Sequence, residues 1–238
     1  MAQALTALEI QARLRKLASK DKAKILQRFF KTGLGQYGEG DMFHGITVPV
    51  LRKLTKEYDD TPLADVFSLL TSGMHEERLL ALLMLVRAFT NGDNVQKKKI
   101  YELYFQNTQY INNWDLVDLA APQIVGAYLA DKSRKPLYAL ARSRDLWQRR
   151  IAILSTFTFI RQNDFDDTLE KSEKLLNDKQ DLIHKAVGWM LREIGKRDLE
   201  VEEQFLQSHY KKMPRTMLRY AIERFPEGKR KKYLQGKI

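Results

Sequence analysis

The sequence predicts an all-α protein, and three observations carry that prediction. Apolar residues recur at three- and four-residue spacing through five long stretches, alternating strand patterning is nearly absent, and short polar breaks separate the stretches. Ionisable residues recur along several of those stretches at a nearly constant interval, which sets the architecture.

Taken in chain order, Met1 to Ile10 lacks a basic segment followed by an apolar run and does not read as a secretory signal. Gly33-Leu34-Gly35-Gln36-Tyr37-Gly38-Glu39-Gly40 is the markedly glycine-rich stretch. It lacks the lysine and hydroxyl residue of a phosphate-cradling loop and reads as a flexible connection. Thr47 before Val48-Pro49, and Thr61 before Pro62, place a capping hydroxyl beside a first-turn proline, as helix starts do. Helical periodicity then marks His75 to Phe89, Trp114 to Leu129, Leu146 to Ile160, Leu182 to Ile194 and Met217 to Phe225, with Ser133 and Asp181 as further starts.

Four helices carry a charged residue two positions before a small apolar one: Asp118 before Ala120, Arg150 before Ala152, Lys185 before Val187 and Arg219 before Ala221. The charged members are 32, 35 and 34 residues apart, close to one helical hairpin per repeat. That interval predicts an α-solenoid of HEAT-like helical-hairpin repeats spanning residues 1–238 as a single domain. Equivalent positions of successive inner helices would then line one concave wall.

The chain has 238 residues, 44% of them hydrophobic, and 41 Lys and Arg against 30 Asp and Glu, a formal charge of +11. Such an excess suits a polyanion, nucleic acid first and an acidic membrane second. Without cysteine there are no disulfides, thiolate metal sites or thiol nucleophiles. The histidines His44, His75, His184 and His209 are scattered, so neither a metal nor another cofactor is expected. With no stretch long enough to span a bilayer, the expected location is cytoplasmic, and nucleoid-associated if the polyanion is DNA. Basic clusters at Lys97-Lys98-Lys99, Arg134-Lys135, Arg149-Arg150, Lys196-Arg197, Lys211-Lys212 with Arg215, and Lys229-Arg230-Lys231-Lys232 are expected mostly at helix ends or between helices, making the groove basic.

Trp114 and Asp118, in Ile111-Asn112-Asn113-Trp114-Asp115-Leu116-Val117-Asp118, lie four apart and so project from one helical face. A ring beside an acid in a strongly basic protein suggests chemistry. From periodicity alone, Asp118 serves equally well as a structural acid paired with Arg150 one repeat away, and Trp114, Trp147 and Trp189 as core residues.

Three segments shift that balance. Trp114-Asp115-Leu116-Val117-Asp118, Leu146-Trp147-Gln148-Arg149-Arg150-Ile151-Ala152-Ile153-Leu154 and Lys185-Ala186-Val187-Gly188-Trp189-Met190-Leu191-Arg192-Glu193 resemble the signature segments of AlkD-type DNA alkylation repair glycosylases, in order and over most of the chain. The resemblance implies a HEAT-like-repeat enzyme that removes N3- and N7-alkylated purines from duplex DNA, approaches the lesion through the backbone and need not enclose the base. It places Asp118 at the catalytic carboxylate, with Trp114 and Trp189 at two aromatic walls. Arg150 falls at the phosphate-holding arginine, with Arg149 as the register alternative; Lys185 and Arg219 are expected to contact phosphate from equivalent repeat positions. Phe29 falls where tyrosine is associated with the best-known type of member, so a hydroxyl is absent there while a lesion contact through the ring remains. Trp147 reads as core.

An alkylated purine is already cationic, so its glycosidic bond is weakened and one carboxylate suffices. An ionised Asp118 would offset positive charge developing on the deoxyribose and orient a water. Arg150 nearby would favour that ionised form. The expected protein is a monomeric, monofunctional N-glycosylase initiating base excision repair. Two other classes fit the sequence less well: a non-catalytic HEAT-like DNA-structure binder, disfavoured by the retained aspartate and tryptophans, and a HEAT scaffold for an acidic protein partner.

Overall fold

The structure, a computed structural model, describes residues 5–238. Its regular elements are helical, and among the described residues the nearest approach to a sheet is an isolated bridge between Met42 and Met74. The chain forms two compact units, Met1–Ala120 and Ala121–Ile238.

The first unit contains α1 (Ala7–Lys16), α2 (Lys20–Phe29), α3 (Val48–Glu57), α4 (Leu63–Leu70), α5 (His75–Asn91), α6 (Asn94–Gln106), a 3-10 turn at Thr108–Tyr110 and α7 (Trp114–Ala120). A capping box opens α1: the Thr6 hydroxyl accepts from the Glu9 N–H, and the Glu9 carboxylate accepts the Thr6 N–H at 2.8 Å. Asp93 caps α6 by accepting the Gln96 N–H at 2.8 Å. The centre is α5, whose residues from Leu79 to Leu85 are all buried because α3, α4, α6 and α7 pack around it.

The first turn of α5 is polar and nonetheless buried: His75, Glu76, Glu77 and Arg78. Charged groups survive burial only when paired or hydrogen-bonded, and these hold the segment that precedes α3. Glu76 accepts the backbone N–H groups of His44, Gly45 and Ile46 at 2.9, 2.7 and 3.1 Å. Glu77 lies 2.9 Å from His44 Nε2 and accepts from Gln11 Nε2 at 2.8 Å. Gly45 sits at φ +84°, and a Cβ there would lie 2.2 Å from the Ser19 carbonyl oxygen, so the start of α2 closes on a position that only glycine fills.

The second unit contains a π-helical stretch at Ala121–Gly126, α8 (Ala127–Leu129), α9 (Lys135–Ala141), α10 (Leu146–Ser155), α11 (Phe157–Arg161), α12 (Asp166–Lys174), α13 (Asp181–Gly195), α14 (Leu199–His209), α15 (Arg215–Ala221), a 3-10 turn at Ile222–Arg224 and α16 (Glu227–Gln235). Asp145 caps α10 by accepting the Trp147 and Gln148 N–H groups at 2.6 and 3.0 Å, and Asp198 caps α14 through Val201 at 3.1 Å. Ile183, Val187, Met190, Leu191 and Ile194 form the buried stripe of α13, which packs against α10, α14 and α15.

All five periodic stretches are helical, with differences that have local causes. Trp114 to Leu129 is interrupted by the π-helical stretch, where Pro122 supplies no N–H to the α-helical ladder. Leu146 to Ile160 breaks at Thr156, whose hydroxyl bonds the Ile153 carbonyl at 2.7 Å. The end of Met217 to Phe225 tightens into a 3-10 turn. The glycine-rich stretch carries turns and no regular element. Two basic clusters lie inside helices rather than at their ends, Lys97 to Lys99 in α6 and Arg149 with Arg150 in α10, while Lys229 to Lys232 runs from the first turn of the short α16 into its last. Their long stems keep good helix propensity, so end positions are not required. Among the described residues, no helix is long and apolar enough to cross a membrane.

Candidate functional site

The site is built on the start of α7. Asn113, fully buried, accepts the Trp114 N–H on its side-chain oxygen at 2.8 Å, and its Nδ2 donates to Asp41 Oδ2 at 3.0 Å. Asp115 extends the same network: its Oδ2 lies 2.9 Å from His75 Nε2, while His75 Nδ1 lies 2.9 Å from Asp41 Oδ2. Arg78 donates to the other Asp41 oxygen.

Burial disfavours charge on His75, but the hydrogen bonds and charges of Asp115 and Asp41 outweigh it and raise the imidazole pKa to about 9. Burial likewise pushes the Asp41 carboxyl up, and the hydrogen bond from His75 with the charge of Arg78 overrides it, holding the pKa at about 2. His75 is therefore an imidazolium donating from both nitrogens.

Aromatic packing joins this network to Trp114. The His75 ring stacks on Phe43 with centroids 4.6 Å apart and contacts Phe30 at 4.8 Å. Phe30 in turn stacks on Trp114 at 5.4 Å and 26°, and Phe29 meets the Trp114 ring edge-on at 5.9 Å. The indole is thus held from behind by a ring column resting on a buried cation.

Trp114 and Asp118, one turn apart, line a cavity of about 760 Å³ bounded by α2, α3, α5 and α7, within the ~300–1,000 Å³ range of ligand pockets. Its walls are mainly apolar, with Phe29, Phe30, Phe43, Ile25 and Val48 prominent, and Lys22, Arg52 and the His75 imidazolium supply positive charge. Ile25, Phe29 and Val48 are 66%, 61% and 41% exposed, so the cavity leaves an apolar surface open beside a carboxylate. Behind Asp118 lies Tyr104 of α6, fully buried. Burial, then the charge of Asp118, pushes its hydroxyl far above the usual phenol range.

The structure brings Trp114, Asp118 and Phe29 to one cavity. Phe29 ends α2, and the Tyr37 hydroxyl reaches its backbone carbonyl at 3.4 Å, so a hydroxyl does lie near Phe29 although its own ring has none.

In the second unit, Trp189 is half-buried, donates through Nε1 to Glu193 at 3.0 Å and faces Phe157 at 6.0 Å. Glu193 also pairs with Lys196 at 2.6 Å. Arg150 is buried and donates to the Leu182 carbonyl at the start of α13. Arg149 is held by Asp178 at 2.6 Å and by the Ser143 and Arg144 carbonyls, both at 2.9 Å. Lys185 pairs with Asp181 at 2.7 Å, and Arg219 is exposed. Trp147 is buried.

Sequence reading missed Asp41, His75, Asp115 and Phe30, which fix the indole. Charged residues opening an apolar helix ordinarily read as a solvated first turn, and the partners of His75 lie 34 and 40 residues away. The available signal was the run Asn112-Asn113-Trp114-Asp115, polar where a helix start needs caps.

Solved structures share this fold. A structure described as a predicted DNA alkylation repair enzyme from Enterococcus faecalis superposes with a TM-score of 0.68 at 16% identity, over 88% of this chain and 97% of that one. The protein smu.31 from Streptococcus mutans UA159 superposes with a TM-score of 0.51 at 18% identity, over 93% of this chain and 100% of that one. No curated protein matches the chain. The family model described as DNA alkylation repair enzyme matches residues 10–225, and the chain therefore belongs to the DNA alkylation repair enzyme family.

Proposed function

We propose that this protein is a monofunctional DNA N-glycosylase that hydrolyses the bond between deoxyribose and cationic N3- or N7-alkylated purines in duplex DNA, initiating base excision repair. The observation that carries this reading is the projection of Trp114 and Asp118 from one face of α7 into the same aromatic-walled cavity.

In this reading the bond between the sugar's anomeric carbon and the purine nitrogen breaks with its electron pair going to the base. The base is already positive, so it departs neutral and needs no protonation. Positive charge moves to the deoxyribose, where the Asp118 carboxylate offsets it and orients a water whose oxygen bonds the anomeric carbon. The water's proton leaves through Asp118 to solvent, and the products are a free base and an abasic site. Trp114 presents its π-face to the cationic nucleotide, an attraction of roughly 0.5–2 kcal/mol. Phe29 extends that aromatic surface.

Trp189 is assigned as a second aromatic surface by the family resemblance, with its indole orientation set by Glu193. Arg150, Lys185 and Arg219 keep the phosphate-side roles assigned to them, and Arg149, bound to Asp178, holds the base of α10. A HEAT-like solenoid with a basic concave groove is part of the reading. It is supported by the serial packing of α10, α13 and α15, helices that carry residues 150, 185 and 219. The enzyme would act as a monomer without metal or cofactor.

Selectivity would come from the lability of a cationic lesion, so neutral lesions should be poor substrates. Release of 7-methylguanine from methylated duplex DNA, with uracil and 8-oxoguanine left in place, is the expected result. Comparable release of all three bases would sink the mechanism.

A further inference from the structure

Helix α2 is unusual in having no fully buried residue, and its two sides differ. Ile25, Leu26 and Phe29 face the apolar cavity described above. A separate recess of about 350 Å³ on the helix is lined by Lys24, Gln27, Arg28, Thr32, Gly33 and Gln36. It offers cations and hydrogen-bond donors and no carboxylate.

From Lys20 to Lys31 the chain carries five cations, Lys20, Lys22, Lys24, Arg28 and Lys31, against the single acid Asp21, and none of the five is ion-paired among the described residues. Other cations of this protein are committed: Arg87, Arg149 and Lys171 each have a carboxylate oxygen at 2.6 Å. Lys24 and Arg28 are four apart on one helical face, an arrangement that costs a helix a few tenths of a kcal/mol unless an anion lies between them. The chain then turns at Lys31, held at φ +51°, and folds the next residues back over the helix end. Thr32 donates from its backbone N–H and its hydroxyl to the Gln27 carbonyl at 3.2 and 3.3 Å. Gln36 Oε1 accepts the Gly33 N–H at 3.0 Å, so its amide NH₂ is left as a donor.

We propose that this recess is a backbone-phosphate subsite for duplex DNA, with Lys24 and Arg28 straddling one phosphate. The proposal rests on the DNA-acting function above and adds a contact on the opposite side of α2 from the cavity. A cationic helix with exposed Ile25 and Phe29 also has the pattern of a membrane-surface helix. Duplex DNA fits better because Asp115 and Asp118 line the cavity on the apolar side, where an anionic bilayer would meet carboxylates.

The test is binding of unmodified duplex DNA across a salt series by wild type, by Lys24→Ala/Arg28→Ala, and by Arg15→Ala/Lys16→Ala, which removes equal charge from α1. The recess pair should make the slope of log affinity against log salt shallower by about 1, with the α1 pair unchanged from wild type. An unchanged slope in the recess pair, or an equal change in both pairs, would overturn the subsite. So would a variant that loses binding to phosphatidylglycerol vesicles while its DNA slope stays the same. Wild type with no salt-dependent DNA binding would instead overturn the DNA-acting function itself.

Discussion

His75 Nε2 lies 2.9 Å from Asp115 Oδ2, tying the first turn of α5 to the first turn of α7 beside Trp114. The opposite ring nitrogen meets Asp41 at the same distance, and the ring stacks on Phe43 and meets Phe30 at a tilt. One buried imidazolium therefore anchors both the helix that carries the candidate carboxylate and the ring column behind the indole.

Stability should follow the titration of that imidazolium. Its folded pKa of about 9 exceeds the ordinary 6.5, so its contribution is fully present below pH 6.5 and is lost as pH rises through 9. Asp41 has the opposite sign: held at about 2 against an ordinary 3.8, it contributes above pH 3.8 and loses that contribution as pH falls through 2. His75→Gln should unfold with about 3 kcal/mol less stability than wild type near pH 6, and the gap should narrow at alkaline pH. Denaturant melts at both pH values measure this; a gap of constant size would show that the charge of His75 does not matter.

Glu202 behaves differently. Burial, with the charge of Glu203 adding and Arg192 opposing, pushes its carboxyl up to about 8, and its Oε1 has no hydrogen-bond partner among the described residues. With a folded pKa above the ordinary 4.5, folding takes up a proton between those values, and stability falls as pH rises from 4.5 to 8. Glu202→Gln keeps the shape without the titration. It should be close to wild type at pH 5 and more stable by about 1–3 kcal/mol at pH 8, read from unfolding midpoints.

The adjacent rings Phe29 and Phe30 should separate function from folding. Phe30 is 6% exposed and lies between Trp114 and the His75–Phe43 pair, so Phe30→Ala should cost about 3–5 kcal/mol. Phe29 is 61% exposed, so Phe29→Ala should change stability by less than about 1 kcal/mol while lowering base release from methylated DNA. Equal stability losses in the two variants would refute this division.

What could be read from the sequence was local. The periodic stretches are helices because a 3.6-residue repeat is visible within one segment, and Trp114 with Asp118 was visible because both belong to one turn of α7. The polar run His75-Glu76-Glu77-Arg78 gave no hint of burial, since its partners at Asp41, His44 and Asp115 come from distant segments. The commitment of Arg149 to Asp178 was hidden for the same reason, 29 residues apart. Helix α2 lies outside the five periodic stretches because its buried contribution is slight, although the resemblance pointed to Phe29 at its end. Its adjoining apolar cavity needs residues from α2, α3, α5 and α7 together, a grouping that no single periodicity contains.

The most direct test of the central claim compares base release from N7-methylated duplex DNA by wild type and Asp118→Asn, with duplex affinity measured in parallel. The substitution keeps the size and one of the two acceptor oxygens but removes the anion that offsets charge on the sugar. Single-turnover release of 7-methylguanine should fall by about 10²–10³-fold while DNA affinity stays near wild type. Release by Asp118→Asn at the wild-type rate would contradict the assignment of the Asp118 carboxylate as the catalytic group.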